Sequence, residues 1–232
     1  MKICIQICSG FEWRAVKKIF AVKATAVKTH SLGEYFAGAI ANRKCIVFHS
    51  GATKTRAAAA CQHAIDKWNP DAIAVLGTCG GISPELEIFD VVLADKTVQY
   101  DCLDFITGAK DTFYAPMVTE LDNSWINHAG VRGKATVGTI GTGDRDLDFK
   151  TAAALRKENI LAADWESGAV AKVCEINRRQ CLILRGITDK PVNHKKADRA
   201  KQTDDYKRNT PLVMKKLLAL LPELLSGGNY LM

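Results

Sequence analysis

Short apolar runs alternate with amphipathic stretches along the whole chain. The opening run KICIQIC has the unbroken apolar look of a buried strand. Ser9 and Gly10 interrupt it, and FEWRAVKKIF then returns apolar residues at helical spacing through Phe11, Ala15 and Phe20. GEYFAGAIANRKCIVFHSG reads as two strands joined by the turn ANRK. KTRAAAACQHAIDKW reads as an alanine-rich helix ending before Asn69-Pro70. DAIAVLGTCGG is a strand expected to run into a glycine turn, VVLADKTVQYD another strand, and residues 101–130 an irregular, turn-rich stretch. KATVGTIGTGD predicts a strand with a second glycine turn, DFKTAAALRKEN a helix, ILAAD a short strand, ESGAVAKVCEIN a helix and CLILRGITD a strand. The tail from Asp198 to Leu225 is largely helical, with Thr210 expected as a cap before Pro211 and a kink or stop at Pro222. Strands alternating with helices predict one α/β domain over residues 1–232, a mostly parallel, mixed and twisted sheet flanked by helices.

Composition narrows the class. With 47% hydrophobic and 25% charged residues among 232, the chain is an ordinary globular protein able to bury a sizeable core. The formal net charge of +7 is compatible with an anionic ligand, but no stripe of basic and aromatic residues points to nucleic acid. NHKKADRAKQTDDYKR mixes acids with bases and reads as a solvated face or loop. The eight cysteines form no C-x-x-C pair and sit mostly in apolar runs, so they read as reduced, buried, small hydrophobes. The five histidines are scattered and suggest no metal cluster. The N-terminal apolar run is too short for a signal peptide, and no run approaches the ~20 residues of a membrane span; a cytoplasmic protein is expected.

Ligands of α/β sheets bind beyond the carboxyl ends of the strands. Here those ends carry Ser9, Gly10, Glu12 and Arg14; Ser50 and Gly51; Thr78, Gly80 and Gly81; Gly141 to Asp144; Asp164 and Glu166; and Thr188 with Asp189. Taken together they predict a pocket lined by acids and hydroxyls. Taken singly each has a plainer explanation: Asp164 as a helix cap, Asp189 as a turn residue before Lys190-Pro191, GTCGG as a tight turn lacking dinucleotide-loop spacing, and Glu12 on an exposed helix face.

The order and spacing of these blocks resemble the nucleoside phosphorylase and nucleosidase superfamily, most closely its 5′-methylthioadenosine/S-adenosylhomocysteine nucleosidases. DWESGAVAKVCEINRRQCLILRGITD is similar to the family's V-E-M-E-A-x-A-x-A-x-V-C followed by V-R-A-I-S-D, and VLGTCGGISPELEIFDVV to its glycine segment and next strand. The resemblance implies cleavage of the N-glycosidic bond of a purine nucleoside or 5′-thionucleoside. It implies that Glu166 holds the ribose hydroxyls, Trp165 packs on the sugar, and Asp164 matches the first acid of the motif. Asp189 would protonate the departing base, Glu12 would activate water, and Arg185 would lie near that water and the acids. Thr78 stands where the family has a serine. The resemblance also implies no metal or organic cofactor, and a homodimer or homohexamer.

Three departures accompany it. Asp146 occupies the place of a phenylalanine against the base, which Phe149 could fill after a local shift. Trp165 replaces a methionine. Ser9, Gly10 and Arg14 resemble the phosphate loop of bacterial purine nucleoside phosphorylases, yet Val75 stands where those enzymes carry an arginine. Hydrolysis is therefore expected, with phosphorolysis to ribose 1-phosphate as the first rival and a non-catalytic nucleoside-binding protein as the second. Ser50 and Gly80 complete the expected substrate wall.

Overall fold

A computed structural model of the chain describes residues 1–40, 42–102, 117–192 and 196–226. Its elements are β1 (Ile3–Ile7), α1 (Gly10–Ile19), β2 (Lys28–His30), β3 (Gly33–Ile40), β4 (Arg43–His49), α2 (Lys54–Trp68), β5 (Ala72–Gly81) and β6 (Val91–Gln99). They continue with β7 (Val118–Glu120), β8 (Thr136–Thr142), α3 (Phe149–Lys157), β9 (Ile160–Asp164), α4 (Ser167–Ile176), β10 (Gln180–Asp189) and α5 (Lys196–Leu224). Part of the expected irregular stretch 101–130, and the start of the charged stretch before α5, lie outside the described residues.

The sheet runs β10-β6-β8-β9-β5-β1-β4-β3-β2, with β7 on β6. The centre is parallel: β1 pairs with β4 and β5, β5 with β10, and β8 with both β6 and β9. The hairpin β3–β4, the edge strand β2 and the β6–β10 pair are antiparallel. The end of β5 also pairs antiparallel with β9, Gly80 opposite Ala163 and Gly81 opposite Ala162, while its earlier residues run beside β10. Strands β5, β10, β6, β8 and β9 thus close into a ring. The GTCGG segment is consequently strand through Gly81 rather than a turn.

Burial on both faces explains the unbroken apolar runs. Ile3, Ile5 and Ile7 of β1, Leu76 of β5 and Leu184 of β10 pack on one side with Trp13 and Val16 of α1 and Val213, Leu217 and Leu221 of α5. Cys4 and Cys8, Ile73 and Val75, and Cys181 and Ile183 point the other way, against α2 (Ala57, Ala60, Cys61, Ala64) and α4 (Val170, Ala171, Cys174). Small side chains on α2 and α4 allow these helices to sit close to the sheet. All eight cysteines are free thiols, seven of them buried.

Helix α5 differs from the expectation at Thr210. The helix continues through Pro211, so Thr210 is not its cap; its hydroxyl donates to the Tyr206 carbonyl one turn back at 2.6 Å. Pro222 lies in the last turn, two residues before the end at Leu224. No helix among the described residues is long and apolar enough to cross a membrane.

Candidate functional site

The carboxyl ends of β1, β5, β9 and β10 open on a cavity of about 440 Å³, closed by residues 145–147 and by one face of α5. Its chemistry is built from three local structures.

The first is the start of α1. Ser9 and Glu12 form a capping box: the Ser9 hydroxyl accepts from the Glu12 amide at 3.2 Å, and Glu12 Oε2 accepts from the Ser9 amide at 2.8 Å. The other oxygen, Oε1, accepts from the backbone N–H of Thr78 at 2.6 Å and from its hydroxyl at 2.8 Å. Glu12 is therefore buried on the cavity wall, not displayed on an outer helix face.

The second is the turn from β9 into α4. Asp164 Oδ1 accepts from the Thr142 hydroxyl at 2.8 Å and from the amides of Ser167 and Glu166 at 3.1 and 3.2 Å. It thus serves the helix N-terminus and the site together. Its Oδ2 accepts from the Ser167 hydroxyl and lies 2.6 Å from Arg185 Nε. Arg185 Nη2 is 3.6 Å from Glu166 Oε2. The guanidinium has 0% exposure, and a Cβ at residue 77 would sit 1.9 Å from Nη1, so β5 needs glycine there. Burial pushes the Glu166 carboxyl up to about 8, with Arg185 pulling down and Asp164 pushing further up.

Glu166 Oε1 accepts from the amide of Thr53 at 3.2 Å. Thr53, the residue before α2, has φ 87° and ψ 151°, a region that suits glycine and strains a β-branched residue. Replacing Thr53 with Gly should release ~1–3 kcal/mol of strain, offset by ~0.4–1 kcal/mol of added freedom in the unfolded chain. We expect the melting temperature of the variant to rise by ~2–4 °C in a thermal unfolding experiment. A fall would mean that the threonine side chain itself holds this turn.

The third structure is the end of β10. Asp189 Oδ1 accepts from the Thr188 hydroxyl and Oδ2 from Gln202 Nε2 on α5, both at 2.8 Å. Burial raises the carboxyl to about 6; these two donors oppose the rise, and Asp205 and Asp146 add to it. Cys79 also lines the cavity, but burial pushes its thiol well above the ordinary range, so it is a poor nucleophile.

Of the residues singled out from the sequence, Glu12, Thr78, Gly80, Asp146, Asp164, Trp165, Glu166 and Asp189 share this one cavity. Two do not. Ser50 is buried away from it, its hydroxyl donating to the Gly51 carbonyl at 3.0 Å. Arg185 stands behind the acids rather than on the wall. Phe149 does not fill the place of the missing aromatic either: it is 53% exposed at the start of α3, and Leu147 beside Asp146 faces the cavity instead. Ser9 and Thr188, expected at their strand ends, line it as well, and the wall includes residues that sequence reasoning passed over: Tyr100 and Arg145, and from α5 Arg199, Gln202, Thr203 and Tyr206. The α5 residues fall in the stretch expected to be a solvated face or loop. Their spacing of three, four and seven from Arg199 was the available signal, since it places them on one helix face.

The sequence profile of the phosphorylase superfamily matches residues 2–226. The chain is 31% identical over 158 residues to the 5′-methylthioadenosine/S-adenosylhomocysteine nucleosidase of Thermotoga maritima, an alignment covering 67% of this chain and 70% of that one. It is 28% identical over 172 residues to the aminodeoxyfutalosine nucleosidase of Campylobacter jejuni, covering 69% and 74%. Its fold superposes on S-adenosylhomocysteine nucleosidase from Streptococcus pyogenes, solved with 5-methylthiotubericidin, with a TM-score of 0.81 at 20% identity over 97% of each chain. Fold, cavity and sequence agree: the chain belongs to the phosphorylase superfamily.

Proposed function

We propose that the protein hydrolyses the N-glycosidic bond of a purine nucleoside or 5′-thionucleoside and releases the free base. The observation that carries this reading is the separation of the carboxylates by environment. Asp189 stands apart on β10 with its carboxyl raised to about 6, while Glu12 is held by Thr78 and the Ser9 amide across the same cavity. Two acids set in different surroundings are what a reaction needs when one must give a proton and another must take one. Asp189 donates to the leaving base, so the bond breaks toward an oxocarbenium-like sugar. Glu166 holds the ribose hydroxyls, Trp165 packs on the sugar, and Glu12 takes a proton from the attacking water. Thr78 and Gly80 form the wall beside them, and Asp146 and Leu147 border the base. Asp164 and Arg185 act behind these groups as positioning residues. No step calls for a metal or an organic cofactor. The nucleosidase names of its relatives support the reaction class.

Water is favoured over phosphate by the placement of the donors. The Arg14 guanidinium lies over the Phe11 ring, 4.4 Å from its centroid, and does not line the cavity. The Thr78 hydroxyl is given to Glu12, and Val75 is a buried apolar residue. A phosphate dianion would meet the Glu12 carboxylate with none of these donors free, leaving Arg145 and Arg199 as the cations on the wall to match its charge. Product analysis tests this. Incubation with a purine nucleoside panel should yield free base and free or 5′-substituted ribose at the same rate with and without phosphate. Phosphate-dependent release with sugar 1-phosphate would establish the phosphorylase reading. Binding with no release of base from any member would establish a binding protein.

The free, mostly buried thiols support a reducing, cytoplasmic setting. The family resemblance supports a homodimer or homohexamer, which sedimentation of the purified chain would distinguish.

A further inference from the structure

Helix α5 reaches into the cavity at the group proposed to carry the proton. Gln202 Nε2 donates to Asp189 Oδ2 at 2.8 Å and to the Lys190 carbonyl at 3.3 Å. An amide NH₂ has two hydrogens, and both have acceptors here. Rotating the amide by 180° would set its oxygen against a carboxylate and a carbonyl, so the nitrogen is fixed as the inward atom. The helix is pinned on the same side. The Tyr206 hydroxyl donates to the Ser9 hydroxyl at 2.6 Å, and Asn209 Nδ2 donates to the Thr188 carbonyl at 2.8 Å. The other Asp189 oxygen is held by Thr188, its own neighbour on β10, which moves with it. The plane of the carboxylate relative to the cavity is thus set from α5.

We propose that Gln202 is the positioning residue of Asp189: its amide fixes the carboxylate plane and, by donating to Oδ2, competes with the proton that Asp189 must carry. The inference rests on the hydrolytic reading of the site. The charged surroundings of Asp189 do not supply this effect from another quarter. Asp205 on α5 and Asp146 after β8 repel the ionised form. Arg145 and Arg199 line the cavity as cations, yet neither is among the hydrogen-bond donors to Asp189. Glu12 and Glu166 are engaged by Thr78, Thr53 and Arg185. Among the described residues, Gln202 and Thr188 are the donors that favour the ionised carboxylate, and of these Gln202 is the one anchored on a separate element.

The test compares the wild-type protein with Gln202→Leu, which keeps the bulk and removes the donor, and with Gln202→Asn, which keeps the amide and shortens its reach. Carboxyl carbons of ¹³C-labelled aspartate are titrated by NMR, the Asp189 signal being assigned through its loss in Asp189→Asn. Loss of a donor to a charged oxygen should raise the Asp189 midpoint by about one pH unit in both variants. The high-pH limb of kcat/KM should move up with it, while kcat on the plateau falls ~10-fold through lost orientation. A midpoint unchanged or lowered in both variants would overturn the proposal, even if activity falls, because that pattern belongs to a merely structural residue. The titration needs no substrate. If the wild-type chain releases no base, the hydrolytic reading fails, and the Gln202–Asp189 coupling is still decided by the carboxyl signal.

Discussion

Asp189→Asn should lower kcat/KM for a purine nucleoside by ~10²–10⁴, the range expected when a positioned general acid is removed. Asparagine keeps the shape, and its oxygen can accept from Gln202 while its NH₂ turns to the Thr188 hydroxyl, which can accept as well as donate, so the loss measures the proton rather than the fold. The pH dependence sharpens this. With the carboxyl raised to about 6, the working protonated form is depleted as pH rises through that value, so wild-type kcat/KM should fall above pH 6. The variant should lose that limb. Stability carries the same sign. The folded carboxyl, raised from its ordinary 3.8, binds more protons than the unfolded one between pH 3.8 and about 6, so its contribution is lost as pH rises across that window. Asp189→Asn should therefore flatten the melting-temperature profile there. Near-normal turnover with the limb intact would assign the proton to another group.

Much of this site was legible because two kinds of signal coincide at strand ends. A strand buried on both faces is mostly apolar until it leaves the core, Gln6 and Arg185 being the buried exceptions here, so the polar residues that follow KICIQIC, IAVLG and CLILRGI mark where the chain meets the cavity. Glu12, Thr78 and Asp189 were found in that way, and the capping-box pattern that holds Glu12 is written in the sequence as Ser9 followed three residues later by an acid. The same logic misled at Ser50, which follows β4 as the others follow their strands but turns its hydroxyl to the carbonyls of Gly51 and of Ile7 on β1. Phe149, left open as an alternative to Asp146 at the base, faces outward because helix α3 starts at it, capped by Asp148. The α5 wall was hidden for another reason. Its cavity face bears Arg199, Gln202, Thr203 and Tyr206, and a polar face toward a cavity has the composition of one toward solvent. The ring closure by β9 and the Thr53 amide on Glu166 depend on backbone groups, which every residue carries alike.

The second large effect is expected at Arg185. Its guanidinium lies between Asp164, at 2.6 Å, and Glu166, at 3.6 Å, with 0% exposure. Arg185→Met keeps much of the volume but leaves two buried carboxylates without their cation. Breaking such a pair from one side costs ~3–5 kcal/mol, a large part of the ~5–15 kcal/mol that holds a domain folded. A melting temperature lower by ~10 °C is expected at neutral pH. The deficit should shrink as pH falls. Glu166 is raised to about 8 from its ordinary 4.5 even with Arg185 pulling it down, so without the cation the folded chain takes up still more protons than the unfolded one above pH 4.5. The folded state is then penalised increasingly as pH rises and relieved as Glu166 protonates. Activity should be lost along with stability, because the Glu166 carboxyl loses the guanidinium that holds it at the cavity wall. A further variant separates the two losses. Replacing Asp164, Glu166 and Arg185 together by apolar residues of similar volume should recover much of the stability, since the penalty comes from unpaired charge, and still leave no turnover. If Arg185→Met melts with the wild-type protein at every pH, the acids are not held as an ion-paired group, and the positioning role of Arg185 fails with it.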